Sequence, residues 1–144
     1  MFDFLKRKQP AHAVFTAELL RMSVPQLKSA LLNTAPVFMR DDSYRSVSES
    51  EALDIMAEAW SEYIPNVNDC DKRAWRAKDV AHRRAARALA VRPWAFGYVH
   101  TADHAFNLFV DETRHVRLID FDSSRGGRIV APGELTSKIN LVIF

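Results

Sequence analysis

Asn66-Val67-Asn68-Asp69-Cys70-Asp71-Lys72-Arg73-Ala74-Trp75-Arg76-Ala77 is the stretch on which the reading of this chain turns. An Asn-rich loop gives way, close to Cys70, to a segment in which Ala74, Ala77, Ala81, Ala85, Ala88 and Leu89 recur at three- and four-residue spacing. That spacing predicts a helix with small side chains facing inward and arginines facing outward. An alanine stripe lets a helix come close to a neighbouring element, as a central helix packed on a sheet must. Cys70, the only cysteine among 144 residues, then stands at the N-terminus of that helix.

Before this stretch the signals are helical. Ser48 with Glu51 three residues on forms a capping-box pair, and Ala52, Ile55, Met56, Ala59, Trp60 and Tyr63 supply an inward face until Pro65. Phe15, Leu19, Leu20 and Met22 predict a helix from Phe15 to Met22. A second follows, capped by Ser23 with Pro25 in its first turn, and ends around Asn33 to Pro36. Met1 to Pro10 reads as a short amphipathic lead, Val37 to Arg40 is ambiguous, and Asp41-Asp42-Ser43 reads as a turn.

After Pro93 the period changes. Trp94 to His100, His104 to Val110, His115 to Asp122, Arg128 to Val130 and Ile139 to Phe144 read as strands separated by turn-forming residues. Helices first and antiparallel strands second make an α+β plan, with the Cys-bearing helix packed on a C-terminal sheet. The expected organisation is one domain over 1–144, with 1–36 as an N-terminal helical segment and 37–144 as the core. A chain of this size buries roughly 70% of its unfolded surface.

Apolar residues make up 48% of the chain and charged residues 26%, as in an ordinary globular protein. One cysteine excludes an internal disulfide and fits a reducing compartment, and no apolar run is long enough to span a membrane. In Met1-Phe2-Asp3-Phe4-Leu5-Lys6-Arg7-Lys8 the apolar residues precede the basic ones, the reverse of a secretory signal, so a cytoplasmic location is expected. The net charge of +2 hides an asymmetry: nine acids against Arg45 between Asp41 and Asp71, then eight bases against Asp79 from Lys72 to Arg92. Two neighbouring helices of opposite charge account for this pattern by facing each other or water.

The chemistry-bearing residues follow in a definite order. A helix N-terminus stabilises a thiolate at Cys70, and its free N–H groups can hold an oxyanion. Asp69 and Asp71 oppose the thiolate, so His104 or a bound cation must compensate. Asp120, between Ile119 and Phe121, needs a partner in an apolar strand, and His104 is the natural one. Asp122 competes with Asp120 for that role, and His100 competes with His104 as the base. His82 and His115 fall on exposed-looking positions. Tyr63 and Asn107 are candidate substrate contacts.

Asp69-Cys70-Asp71 with Ala74, the strand His104-Ala105-Phe106-Asn107 and a carboxylate after a hydrophobic strand together resemble a known family. It is the papain-like cysteine-protease domain at the C-terminus of the Marasmius oreades mushroom agglutinin, with similar short proteins in bacteriophages. The resemblance covers roughly Trp60 to Ser124. It implies Cys70 as nucleophile, His104 as base, Asp120 as orienting acid, and Asp71 with Asp69 among ligands for calcium or manganese. Lys72 stands where a second metal-binding aspartate is expected, Arg73 replaces a phenylalanine, and Asp120 replaces a glutamate.

Three functions follow as expectations. The first is a cysteine hydrolase acting on a peptide or protein. The second is a non-catalytic, phage-type binding or inhibitor protein that meets a host protein or an acidic surface through Arg73, Arg76, Arg83, Arg84 and Arg87. Nucleic acid is disfavoured by the nearly neutral total charge. The third is an oxygen-rich metal site built from Asp69, Asp71, Asp103, His104 and Asp120.

Overall fold

A computed structural model describes residues 12–21, 35–135 and 137–144 of the chain. The expected lead at Met1 to Pro10 and the helix capped by Ser23 lie outside the described residues. The architecture is α+β. Strand β1 (Val14–Thr16) precedes one helical turn at 17–21, then come β2 (Val37–Phe38) and β3 (Ser43–Arg45). Helices α1 (Glu49–Ala59) and α2 (Cys70–Arg87) follow. The chain then runs through β4 (Phe96–Thr101), β5 (Ala105–Val110), β6 (Val116–Phe121), β7 (Gly127–Val130) and β8 (Ile139–Ile143).

Six strands form one sheet in the order β2-β8-β4-β5-β6-β7, antiparallel except where β2 runs parallel to β8. Alternation of side chains across the pleat gives this sheet two apolar faces. Phe96, Phe109 and Ile119 pack with Ala52, Ile55, Met56, Ala77, Val80 and Ala81 of the two helices. Val99, Phe106, Leu108, Val116 and Leu118 face the other way and are covered by Phe15, Leu20, Tyr44 and Phe144.

The capping box forms as its spacing requires: the Ser48 hydroxyl accepts from the Glu51 amide at 3.1 Å, and the Glu51 carboxylate accepts from the Ser48 amide at 2.9 Å. Helix α1 stops at Ala59, however, so Tyr63 is not part of its inward face and is exposed. In α2 the buried side chains are Ala74, Ala77, Val80, Ala81 and Ala85. The stripe ends there, because Ala88 is the C-cap and Leu89 lies beyond it, exposed with a φ of 50°. Phe15 corrects a helical expectation. It sits in β1 opposite Tyr44 of β3, a hairpin-like pairing of distant segments that outweighs the local helical spacing.

The charge asymmetry resolves between α1 and α2. Arg84 meets Glu58 at 2.7 Å and Arg87 meets the same carboxylate at 3.8 Å, while Arg83 pairs with Asp79 at 3.1 Å within α2. Arg73 lies 4.5 Å over the Phe121 ring. Much of the arginine face is thereby engaged inside the molecule rather than offered to a partner.

Candidate functional site

Asp69 is the N-cap of α2, and Cys70 is its first residue. The thiol packs with Ala74, Tyr98, Ala105 and Ile143, on the sheet face that carries the helices. The Lys72 ammonium stands 3.9 Å from Asp69 and donates to the Asn66 carbonyl at 3.2 Å. Asp71 accepts from the Tyr98 hydroxyl at 3.4 Å and lies 3.9 Å from His100 Nε2. Burial, followed by the Asp71 charge, pushes the Tyr98 phenol up to about 12.

His104 and Asp120 do meet. Nε2 of the ring and the carboxylate oxygen are 2.7 Å apart, and Asp120 also accepts from the Phe121 amide at 2.8 Å. Asp122 is engaged elsewhere, holding the turn through Ser124 and Gly126. Cys70 packs with Ala105, the residue that follows His104. His104 stacks on Phe106, whose side chain belongs to the opposite apolar cluster, and Asp120 alternates with Ile119, which faces the helices. Among the described residues no hydrogen bond joins the Cys70 sulfur to His104. Nor does any group of three or more His, Cys, Asp or Glu side chains among them have the arrangement to hold a metal ion. Of the acids expected to bind calcium or manganese, Asp69 caps α2 with Lys72 at 3.9 Å, and Asp71 accepts from Tyr98.

The hydrogen bond that His104 donates to Asp120 raises the pKa of His104 above 6.5, with burial opposing and the charges of Asp120, Asp103 and Asp71 adding to it. A raised folded-state pKa means the pair stabilises the fold fully below the unfolded value, and that contribution is lost as pH rises through the folded value. An NMR titration of His104 is expected to give a midpoint above 6.5, falling back toward it in Asp120→Asn. A midpoint at or below that value in the unmodified protein would refute the pairing.

Asn107, expected to touch substrate, is instead completely buried. Its Nδ2 donates to the Ala74 carbonyl of α2 at 2.9 Å and to the Gly97 carbonyl of β4 at 3.0 Å. Both partners are acceptors, which fixes the amide orientation. Tyr63 lies in the exposed loop after α1.

A different place on the molecule is shaped for a ligand. Trp75, 44% exposed, lies flat on Tyr98 with ring centroids 4.5 Å apart and planes 14° from parallel. Helical spacing aligns Asp71, Trp75, Lys78 and His82 along one side of α2. Facing them is the segment 38–44, pinned where the Tyr44 oxygen accepts from the Arg40 and Asp41 amides at 3.0 and 2.9 Å. Between these walls lies a cleft of about 210 Å³ floored by Phe96 and Phe144. A second hollow of about 260 Å³, reaching Phe38 and Ile143, shares Arg40, Trp75, Lys78 and Phe144 with it. Nothing local in the sequence marks this place: Tyr98 of β4 and Arg40 of the segment 38–44 reach Trp75 from other elements, and Lys78 stands one turn further along α2.

No family model and no curated protein sequence matches the chain. Solved structures do. One is described as the PSL1a-E64 complex, 15% identical, with a TM-score of 0.77 over 91% of this chain and 51% of that one. Another is Polyporus squamosus lectin bound to the human-type influenza-binding epitope Neu5Aca2-6Galb1-4GlcNAc, 15% identical, with a TM-score of 0.75 over 91% and 49%. The chain thus spans about half the length of these neighbours. These findings, with no hydrogen bond between Cys70 and His104 among the described residues, correct the expectation of a cysteine hydrolase acting on peptide or protein. They equally correct the alternative of a phage-type inhibitor working through the arginine face. At this identity the likeness establishes the fold: this chain shares its fold with about half of Polyporus squamosus lectin.

Proposed function

We propose that this chain is a carbohydrate-binding module whose ligand lies against Trp75, in the cleft between α2 and the segment 38–44. The observation that carries this reading is the Trp75 ring, exposed on one side and held flat on the other by Tyr98. A sugar has an apolar face of C–H groups that packs on such a ring, and a rim of hydroxyls that needs charged or polar partners. Arg40, Asp41, Lys78, Asp79 and His82 stand around the ring to supply them. The lectin among the structural neighbours binds a glycan as a whole protein, of which this fold forms about half. In this reading the kinship to the agglutinin domain is one of scaffold, carried by the Asp69-Cys70-Asp71 helix start and the His104-Ala105-Phe106-Asn107 strand.

A glycan array probed with the whole chain tests the proposal. Retention on a defined set of oligosaccharides is expected, with Trp75→Ala lowering affinity at least about tenfold while the circular dichroism spectrum stays unchanged. Binding to no glycan, or binding that ignores the loss of Trp75, would sink it.

A further inference from the structure

The two hollows that meet at Trp75 differ in chemistry. The cleft of about 210 Å³ carries charge of both signs, with Arg40, Asp41, Lys78, Asp79 and His82 on its walls. The hollow of about 260 Å³ is lined beyond Trp75 by Phe38, Met39, Ile143 and Phe144. Among the described residues its walls hold no acid and no hydroxyl, and its basic residues, Arg40 and Lys78, are shared with the cleft. Lys78 is partly buried, and side chains of this kind cover apolar surface with their methylene stems.

Strand register builds the apolar end. Phe38 of β2 pairs with Ile143 of β8, and Ile143 pairs with Tyr98 of β4. Partners across a ladder project to the same face, so these side chains form a row from the support of Trp75 to the sheet edge. Phe38, at the outer end of that row, is 59% exposed. Water against such a ring is unfavourable, and an apolar group laid over it releases that water. The hollow of about 450 Å³ near Trp94 instead carries the Arg45–Glu51 pair, and the one of about 220 Å³ beside His104 carries the Arg128–Glu134 pair.

We infer that the ligand is a glycoside with an apolar aglycone, its sugar ring on Trp75 and its aglycone in the hollow walled by Phe38 and Ile143. The inference rests on the carbohydrate-binding reading and adds the chemistry of the group to which the sugar is joined. Arg40, Trp75, Lys78 and Phe144 line both hollows, so a ring seated on Trp75 already stands at the mouth of the second. The occupant of the apolar hollow is then the part of the same molecule that continues past the ring. Hydroxyls face the charged cleft and hydrocarbon faces Phe38, which orients the ligand.

The test compares methyl and hexyl glycosides of glucose, galactose and mannose, titrated calorimetrically into the intact chain and into Phe38→Ser and Phe38→Leu. In the intact chain the hexyl member of a pair is expected to bind at least about tenfold more tightly than the methyl member. Burial of roughly two methylenes supplies that gain. Phe38→Ser is expected to bring the ratio close to one with the methyl affinity unchanged, and Phe38→Leu to keep most of it. Phe38 is exposed, so neither substitution empties the core. Equal affinity of methyl and hexyl members overturns this inference and leaves the carbohydrate reading standing. A hexyl preference that survives Phe38→Ser also overturns it, since the alkyl chain then lies elsewhere. Hexanol binding as tightly as the hexyl glycosides, or binding of no glycoside, removes both readings.

Discussion

Asn107→Ala is expected to lower stability by about 3 kcal/mol, a large share of what holds a domain of this size together. The side chain is fully buried and spans the junction of two layers, donating to Ala74 of α2 and to Gly97 of β4. Truncation leaves both carbonyls short of a donor inside the protein and opens a cavity beneath the first turns of α2. Asn107→Asp should cost more. A carboxylate offers only lone pairs to two carbonyls, so the group must either bring a proton or break the junction. Its folded-state pKa is therefore raised, and the destabilisation grows as pH rises above about 4. Urea denaturation midpoints at acidic and neutral pH would measure both effects. If Asn107 were a ligand contact, stability would stay unchanged and binding alone would fall, and that result would overturn the structural role.

The second large effect is at Gly127. A Cβ built there would lie 2.6 Å from both Cβ and Cγ of Met56, and 3.4 Å from the Asp120 carbonyl. Met56 is completely buried in α1, so Gly127→Val must push β7 and the helix apart. Overpacking of this kind costs roughly 3 kcal/mol, which corresponds to a fall in Tm of about 10 °C at this chain length. Gly133→Ala is the control, because nothing stands within 4 Å of a Cβ at that position. Its effect should stay within about 0.5 kcal/mol. Equal Tm values for the two variants would refute the close approach of β7 to α1.

Much of this architecture was legible before any coordinates. The Ser48–Glu51 capping box, the alanine stripe of α2 and the five C-terminal strands all rest on spacing within a few residues. The structure reproduces the strands with shifts of one or two positions at their ends, while the inward face of α1 and the buried stripe of α2 each stop about one turn early. The pairing of His104 with Asp120 was also within reach, because a carboxylate between apolar neighbours needs a partner. The site was harder. Trp75 was visible as an aromatic residue on an exposed helix face, but its support comes from Tyr98 and its opposite wall from Arg40 and Tyr44. Nothing in the local pattern of any one segment announces that assembly.

The sequence by itself determined α1, α2 and the five C-terminal strands, because those follow from periodicity and capping. Tertiary structure alone decided which inward faces meet. Phe15 became a strand residue through pairing with Tyr44, against its helical spacing. His104 and Ala105 are consecutive, yet Ala105 packs beside Cys70 while the His104 ring stacks on Phe106 and pairs with Asp120. A strand turns successive side chains to opposite faces, so neighbours in sequence such as Ala105 and Phe106 meet different partners. The order of cysteine, histidine and acid along the chain carries no record of that choice.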